Sequence, residues 1–443
     1  MKILIVAGTF PPYAPSSASR ANKFAKHLEQ QGHDIKVLAP KLPGQDMSLT
    51  PEISEDKIIF TEYYDINDFP TSVKSSIKNL FSSKDDKTEI EPAPEELALG
   101  NNNKQYEESK LSVAYRYMTN IPDRWIGWYP AAIRAGRKLF GEWSPDIIFS
   151  TAPPYTSFVV AHKLAKILDI PWVADYRDLW IDESNLQYKT VRGRVNKYVE
   201  KWLLSSCSGL VTVTDNWTQN LKKKYEIPVT LAMNGFDPDD FDEKNKNVLY
   251  PDHFTILYAG VLYGDRRDPS KLFEAMATMG EHAKKIKVLL YTPNGIEDLS
   301  DDQKKIIDDN DLHDQIVANR FIPQSELLDI QLGVDLLLLL RWDDPRENGV
   351  IAGKLFEYIG ANKPILSVGS VTGEAADIIR DNDFGVVSND SNEIANYLED
   401  CLKKMTENAS RIRKTPNRDN YARSIQFEKI ENFLIELAGK NDS

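Results

Sequence analysis

Ile3-Leu4-Ile5-Val6-Ala7 near the start and Asp34-Ile35-Lys36-Val37-Leu38-Ala39 after it are two short, mainly apolar runs. Between them lie a loop rich in Pro, Ser and Thr and an amphipathic helical pattern from about Ser19 to Gln31, which Gly32-His33 ends. Strand, helix and strand joined this closely form a βαβ unit. Such a unit requires parallel strands and a right-handed crossover. The N-terminal half is therefore expected to be doubly wound α/β.

Working outward, residues from about 41 to 115 interrupt the alternation. They contain one clear short strand near Lys57–Phe60 and a polar, acidic tract from Ser82 to Lys110, expected as a mobile insertion. The alternation then resumes, with strands at 146–150, 171–174, 209–213 and 229–233 and helices at 157–168, 191–205 and 217–224. It closes at Asn234-Gly235-Phe236-Asp237, so a first domain covers 1–236. Residues 237–252 are charged and poor in apolar side chains, the composition of a linker. A second α/β series follows over 253–418, with strands at 254–259, 286–291, 315–317, 334–340, 364–368 and 385–387. A last helix, 421–437 within the segment 419–443, can pack on either domain, including back on the N-terminal one. Two such sheets are expected to present the carboxyl ends of their strands to a shared crevice.

The bulk properties agree with this organisation. A chain of 443 residues exceeds the size at which one core keeps growing. Its 41% hydrophobic and 27% charged residues are ordinary globular usage. A net charge of −13 argues against a general nucleic-acid binder. Cys207 and Cys401 have neither the CxxC nor the Cys/His spacing of a disulfide framework or zinc site, and are expected as reduced thiols. The opening apolar run is too short for a signal peptide, and no stretch is long enough to span a bilayer, so a cytoplasmic protein is expected.

Four segments carry candidate chemistry. The loop Gly8 to Arg20, with Ser17 among its hydroxyls, joins the first strand to the first helix, where N–H groups and hydroxyls can hold an anion or a sugar. It is not a GxGxxG loop and lacks the lysine of a P-loop. Asp175-Tyr176-Arg177-Asp178 follows the strand at 171–174 directly. Its charges either position a substrate and exchange protons with it or form a structural ion pair. Beyond the strand at 254–259, Gly260 permits close backbone approach, and Arg266 or Arg267 can neutralise a diphosphate. The sharpest segment runs from Arg341 to Pro364. A strand of five leucines ends in a polar loop holding Asp344 and Glu347, and a helix then carries Lys354 and Glu357 three residues apart, on one face. Glu357 stands inside an apolar run, and ribose hydroxyls would supply the donors a buried carboxylate needs.

Taken in order, the Phe-Pro-Pro loop, Gly-His before the second strand, Asp-Tyr-Arg-Asp-Leu-Trp, Asn-Gly-Phe-Asp, and Lys-Leu-Phe-Glu-Tyr followed by Lys-Pro-Ile resemble the GT-B glycosyltransferases of family 4. The resemblance covers essentially the whole chain. It implies a GT-B fold of two Rossmann-like domains and a retaining, metal-independent transferase. The donor would be a nucleotide sugar of UDP or GDP type, used as substrate with no further cofactor. It also implies that Glu357 holds the donor ribose and that an arginine and a lysine hold the diphosphate. The family's usual Glu-x7-Glu places its first carboxylate at Gly349, so Glu347 or Asp344 would take that role, and the common arginine after the strand glycine is Val261. The frequent histidine after 171–174 falls on Arg177, so Asp178, Arg177 and Asp175 are the catalytic candidates.

The resemblance further implies a glycan or lipid-linked acceptor from surface polysaccharide synthesis, and peripheral contact with the inner face of a membrane. The basic and aromatic stretch Tyr115 to Tyr129, with Arg134, Arg137 and Lys138, either docks on lipid head groups or sugars or is core with a solvated helix face. A UDP-sugar 2-epimerase or a non-catalytic nucleotide-sugar-binding protein shares the fold.

Overall fold

The computed structural model describes residues 1–13, 18–42, 44, 47, 49–67, 110–181, 190–242, 246–406 and 417–439, with 110–114 and 265 by backbone alone. Most of the expected insertion, and Ser17, lie outside the described residues. The chain forms two compact units: Met1–Thr212 with Lys222–Thr230 and Ile430–Ser443, and Val213–Leu221 with Leu231–Lys429.

The first unit is built on a parallel sheet of strands β1 (Lys2–Ala7), β2 (Asp34–Pro40), β3 (Ile58–Thr61), β4 (Ile147–Ala152), β5 (Trp172–Tyr176), β6 (Gly209–Thr212) and β7 (Val229–Leu231), in the order β3-β2-β1-β4-β5-β6-β7. The strands read as near-continuous apolar runs because both faces are covered, as parallel sheets require. β1 is buried from Ile3 to Ala7. The strand expected at 57–60 is the edge strand β3, paired with β2 from Val37↔Ile58 to Pro40↔Thr61. The first helix, Ala18–Gln30, turns Phe24, Ala25 and Leu28 onto the sheet. From the end of the chain, Glu431 accepts from His27 Nε2 at 3.0 Å and His33 Nε2 at 2.8 Å. Gly209 lies so close to Leu437 and Phe433 that any added Cβ would stand 2.6 Å from each.

The second unit repeats the architecture with strands β8 (Phe254–Ala259), β9 (Ile286–Thr292), β10 (Ile316–Arg320), β11 (Leu336–Leu340), β12 (Ile365–Val368) and β13 (Gly385–Ser388), in the order β10-β9-β8-β11-β12-β13. The five leucines of β11 divide by the strand period of two. Leu336, Leu338 and Leu340 enter the core on one face with Ile256, Tyr258 and Phe273, while Leu337 and Leu339 enter the other with Leu257, Phe356 and Ile359. Both sheets therefore reverse direction of winding at one place, between β1 and β4 and between β8 and β11. In open α/β sheets ligands bind outside the carboxyl ends of the strands at such a switch point. Cys207 is buried, which pushes its thiol up to about 12, and Cys401 is partly buried; neither forms a disulfide.

Candidate functional site

At the switch point of the second unit, β8 ends in Gly260 and β11 in Arg341. Gly260 donates its N–H to the Tyr291 carbonyl at 2.8 Å. A Cβ at this position would stand 1.7 Å from Lys354 Nζ, so the missing side chain is the space the ammonium occupies. Lys354 is the second residue of the helix Gly353–Gly360, whose start has no side-chain cap and no acidic residue in its first turn. The unsatisfied N–H groups of such a start carry partial positive charge, adding to that of the lysine. Among the described residues a Cβ on Gly353 would meet nothing within 4 Å, so the helix start itself is uncovered there.

Among the described residues the Lys354 ammonium has no carboxylate or hydrogen-bond partner; it lies over the Tyr258 ring, 4.9 Å from the centroid. Burial, and then repulsion from Arg267, bring its pKa down from 10.5 to about 8 against the opposing pull of Glu357. Arg267 is anchored by Nη1 donating to the Leu340 carbonyl at 3.0 Å and is partly neutralised by Glu347 at 3.3 Å. Glu357, one turn beyond Lys354, has its carboxyl raised by burial. Gln331, Lys354 and Arg423 oppose that shift, and Gln324 donates to it at 3.4 Å. Two cations held at the end of the sheet with one partial counter-ion form a site that favours an anion. A carboxylate one turn away can accept from hydroxyls.

The structure brings Gly260, Arg267, Glu347, Lys354 and Glu357 together and sets Arg266 apart. Arg266 is exposed and lies over the Trp342 ring at 4.5 Å, with Arg346 over the same ring at 4.6 Å. Asp344 is tied to Arg346 by two side-chain hydrogen bonds of 2.8 and 2.7 Å and one from the Arg346 backbone N–H at 2.9 Å, which hold its carboxyl down to about 2. Of the two acids expected to replace a first glutamate, Glu347 is thus the one facing a site cation. Tyr258 and Arg341 are additions. Tyr258 supplies the aromatic face under Lys354, and the buried Arg341 ties the end of β11 to the loop after β12 through the Ser370 and Thr372 carbonyls at 2.8 and 2.9 Å. The alternation of β8 marks Tyr258 as inward-facing, but nothing in its spacing reveals that a lysine from another helix lies on it.

In the first unit the catalytic candidates separate. Asp175 is fully buried; it accepts from Arg20 Nε at 3.1 Å, Arg20 Nη2 at 3.0 Å and Thr151 Oγ1 at 2.7 Å. As placed, it holds Arg20 rather than exchanging a proton with a substrate, and the expected partner Arg177 is directed elsewhere. Arg177 donates to the carbonyls of Ala152 and Pro153 at the end of β4. Burial lowers its pKa while Asp175 and Asp178 counteract. Asp178 is exposed just beyond β5. Arg20, expected as part of a ligand loop, is likewise a buried structural partner.

The aromatic stretch divides too. Trp125 and Trp128 are core, with Trp128 Nε1 donating to Thr61 Oγ1 at 2.6 Å. Asp123 accepts from the Thr156 N–H at 3.0 Å and from its hydroxyl at 2.7 Å, at the start of the helix Thr156–Leu168. Arg134, Arg137 and Lys138 form the exposed face of the helix Tyr129–Phe140.

Residues 97–240 match the family described as Glycosyltransferase Family 4. No curated protein matches the chain in sequence. Among solved structures, HepE from Anabaena in complex with UDP is 13% identical, covers 98% of this chain and 100% of its own, and has a TM-score of 0.57. A glycosyltransferase from Rickettsia africae is 13% identical over 98% of each chain, with a TM-score of 0.55. Sucrose-phosphate synthase from Thermosynechococcus elongatus is 13% identical, covering 100% of this chain and 97% of its own, with a TM-score of 0.52. No helix among the described residues is long and apolar enough to cross a membrane. The chain has the GT-B fold of these structures, and its residues 97–240 match the model of Glycosyltransferase Family 4.

Proposed function

We propose that the protein transfers a sugar from a nucleoside diphosphate sugar to a hydroxyl of a glycan or lipid-linked acceptor, with retention at the anomeric carbon. The observation that carries this reading is the partly buried Lys354 ammonium, set against Gly260 without an anionic partner beside Arg267. A diphosphate supplies the missing charge, and ionic hydrogen bonds to arginine and lysine are among the stronger ones available. The HepE structures with UDP and with UDP-glucose support a donor of this class. In this reading Glu357 accepts from the ribose hydroxyls, and Glu347 steadies Arg267.

The bond from the anomeric carbon to the β-phosphate oxygen breaks as Lys354 and Arg267 stabilise the charge on the departing diphosphate. The acceptor oxygen bonds to the same carbon from the same face, and its proton passes to the leaving phosphate oxygen. Asp178, exposed just beyond β5, is in this reading the first-unit candidate for orienting an acceptor hydroxyl. Thermal melting with UDP, GDP, ADP and dTDP tests the donor site, since a ligand that binds only the native state raises its stability. One nucleotide should shift the wild type and fail to shift Lys354→Ala and Glu357→Ala. No shift with any of the four would point instead to a protein without a working donor site.

A further inference from the structure

The second sheet carries a groove of about 400 Å³ at the end opposite Lys354. It lies where β8, β9 and β10 begin, and it is lined by His253, Lys284, Lys287, Asp311, Asp314 and Gln315. The length of β8, at about 3.3 Å per residue, sets it roughly 20 Å from Gly260. A ligand held here is not the one that meets Lys354.

Most of the lining groups are already engaged. Lys287 donates to the Asp314 carbonyl and lies over the Tyr250 ring at 5.6 Å, and His253 meets the same ring edge-on at 6.3 Å. Lys284 reaches the groove from an exposed ion pair with Glu281 at 2.8 Å. Gln315 differs. It is 6% exposed, and its backbone is fixed on both sides, its N–H donating to the Leu312 carbonyl at 3.0 Å and its carbonyl accepting from the Val288 N–H at 2.8 Å. Its side-chain Oε1 is buried and has no hydrogen-bond partner among the described residues. A buried amide oxygen without a donor is costly, so this wall of the groove is short of a donor that a ligand hydroxyl would supply.

The charges select the class of ligand. Two ammonium groups and two carboxylates share the groove, so an anion would be repelled by Asp311 and Asp314 and a cation by Lys284 and Lys287. Among the described residues none of the lining side chains is apolar, which disfavours an acyl chain or an apolar peptide. A hydroxyl both donates and accepts. A row of hydroxyls therefore serves the carboxylates and the Gln315 oxygen as donors and the ammonium groups as acceptors, with no net charge.

We propose that this groove is a second ligand site, which takes a neutral oligosaccharide. Its hydroxyls donate to Asp311, Asp314 and Gln315 Oε1 and accept from Lys284 and Lys287. The proposal goes beyond the donor-site reading and does not depend on it.

Saturation-transfer NMR of the full chain with maltotetraose, cellotetraose and chitotetraose tests it, with inorganic pyrophosphate as the anionic competitor. At least one of these glycans should bind at millimolar concentration and stay bound when pyrophosphate is added. Gln315→Met removes the unpaired oxygen from a buried position; it should keep the melting temperature and weaken glycan binding about threefold to tenfold. Asp311→Asn/Asp314→Asn keeps side-chain shape and places at 311 a residue that tolerates the φ of 51° found there, and it should weaken binding by more than about tenfold. Nucleotide-induced stabilisation should be unchanged in both variants, which separates this result from failure of the donor site. The proposal is overturned if none of the glycans binds, if pyrophosphate displaces the one that does, or if both variants bind it like the wild type.

Discussion

Replacing Lys354 by methionine should make the ligand-free protein more stable and abolish its response to nucleotide. The ammonium's pKa falls from 10.5 to about 8, a depression of about 2.5 units in the folded state. At about 1.4 kcal/mol for each of these this is about 3.5 kcal/mol of folded-state destabilisation, and solvent at the partly exposed side chain reduces it to about 1–3 kcal/mol. The sign follows from proton counts. Below pH 8 both folded and unfolded chains hold the proton, and the penalty is complete. Between about pH 8 and 10.5 the folded state releases it first, so the unfolded state binds more protons and stability rises with pH. Urea unfolding of wild type and Lys354→Met at several pH values isolates this term, because titrations common to both proteins cancel in the difference. The variant should be more stable at pH 7, and the gap should close as pH rises through that window. A variant less stable than wild type at pH 7, or one that keeps its nucleotide shift, would refute an ammonium held without an anion.

Three further substitutions follow, two at the same site and one in the first unit. Glu357→Gln should weaken nucleoside diphosphate binding about tenfold to a hundredfold by titration calorimetry, since it removes the charge from hydrogen bonds that ribose hydroxyls donate. Gly260→Ala should destabilise the protein in denaturant unfolding, because the backbone there holds a φ of 157° that residues with a side chain rarely adopt, and should lower kcat up to about a hundredfold, because its Cβ would stand 1.7 Å from the Lys354 ammonium and displace it. Arg20→Met should destabilise the first unit by about 3–5 kcal/mol in denaturant unfolding, as it leaves the fully buried Asp175 carboxylate without its counter-ion.

What was legible in the sequence follows the reach of each interaction. The apolar runs of β1 and β11 announce strands buried on both faces, and the βαβ spacing implies parallel order, because both signals are local in the chain. Edges were less sharp. The strand expected at 315–317 extends over Ile316–Arg320, where side chains are only partly buried and the apolar pattern fades. Gly260, Lys354 and Glu357 were visible as residue types suited to a phosphate and a ribose. The assignment of Arg266 was not sound, since two adjacent arginines after one turn read alike until Trp342 captures the first and the Leu340 carbonyl the second. The pairing of Asp175 was invisible for a plainer reason: Arg20 lies 155 residues away along the chain, nearer candidates surround the aspartate, and only the adjacency of β1, β4 and β5 selects between them.

The fit of Lys354 into the place of an absent side chain also bears on how the site can change over generations. A new side chain at 260 would meet the lysine before anything else, so only a shorter residue at 354 opens that space, and even then the side chain must accept a φ of 157°. The two positions, on different elements, should therefore vary together among descendants of this sequence. Lineages that gave up the glycine would be those that had already given up the lysine, and with it the reason to bind a diphosphate.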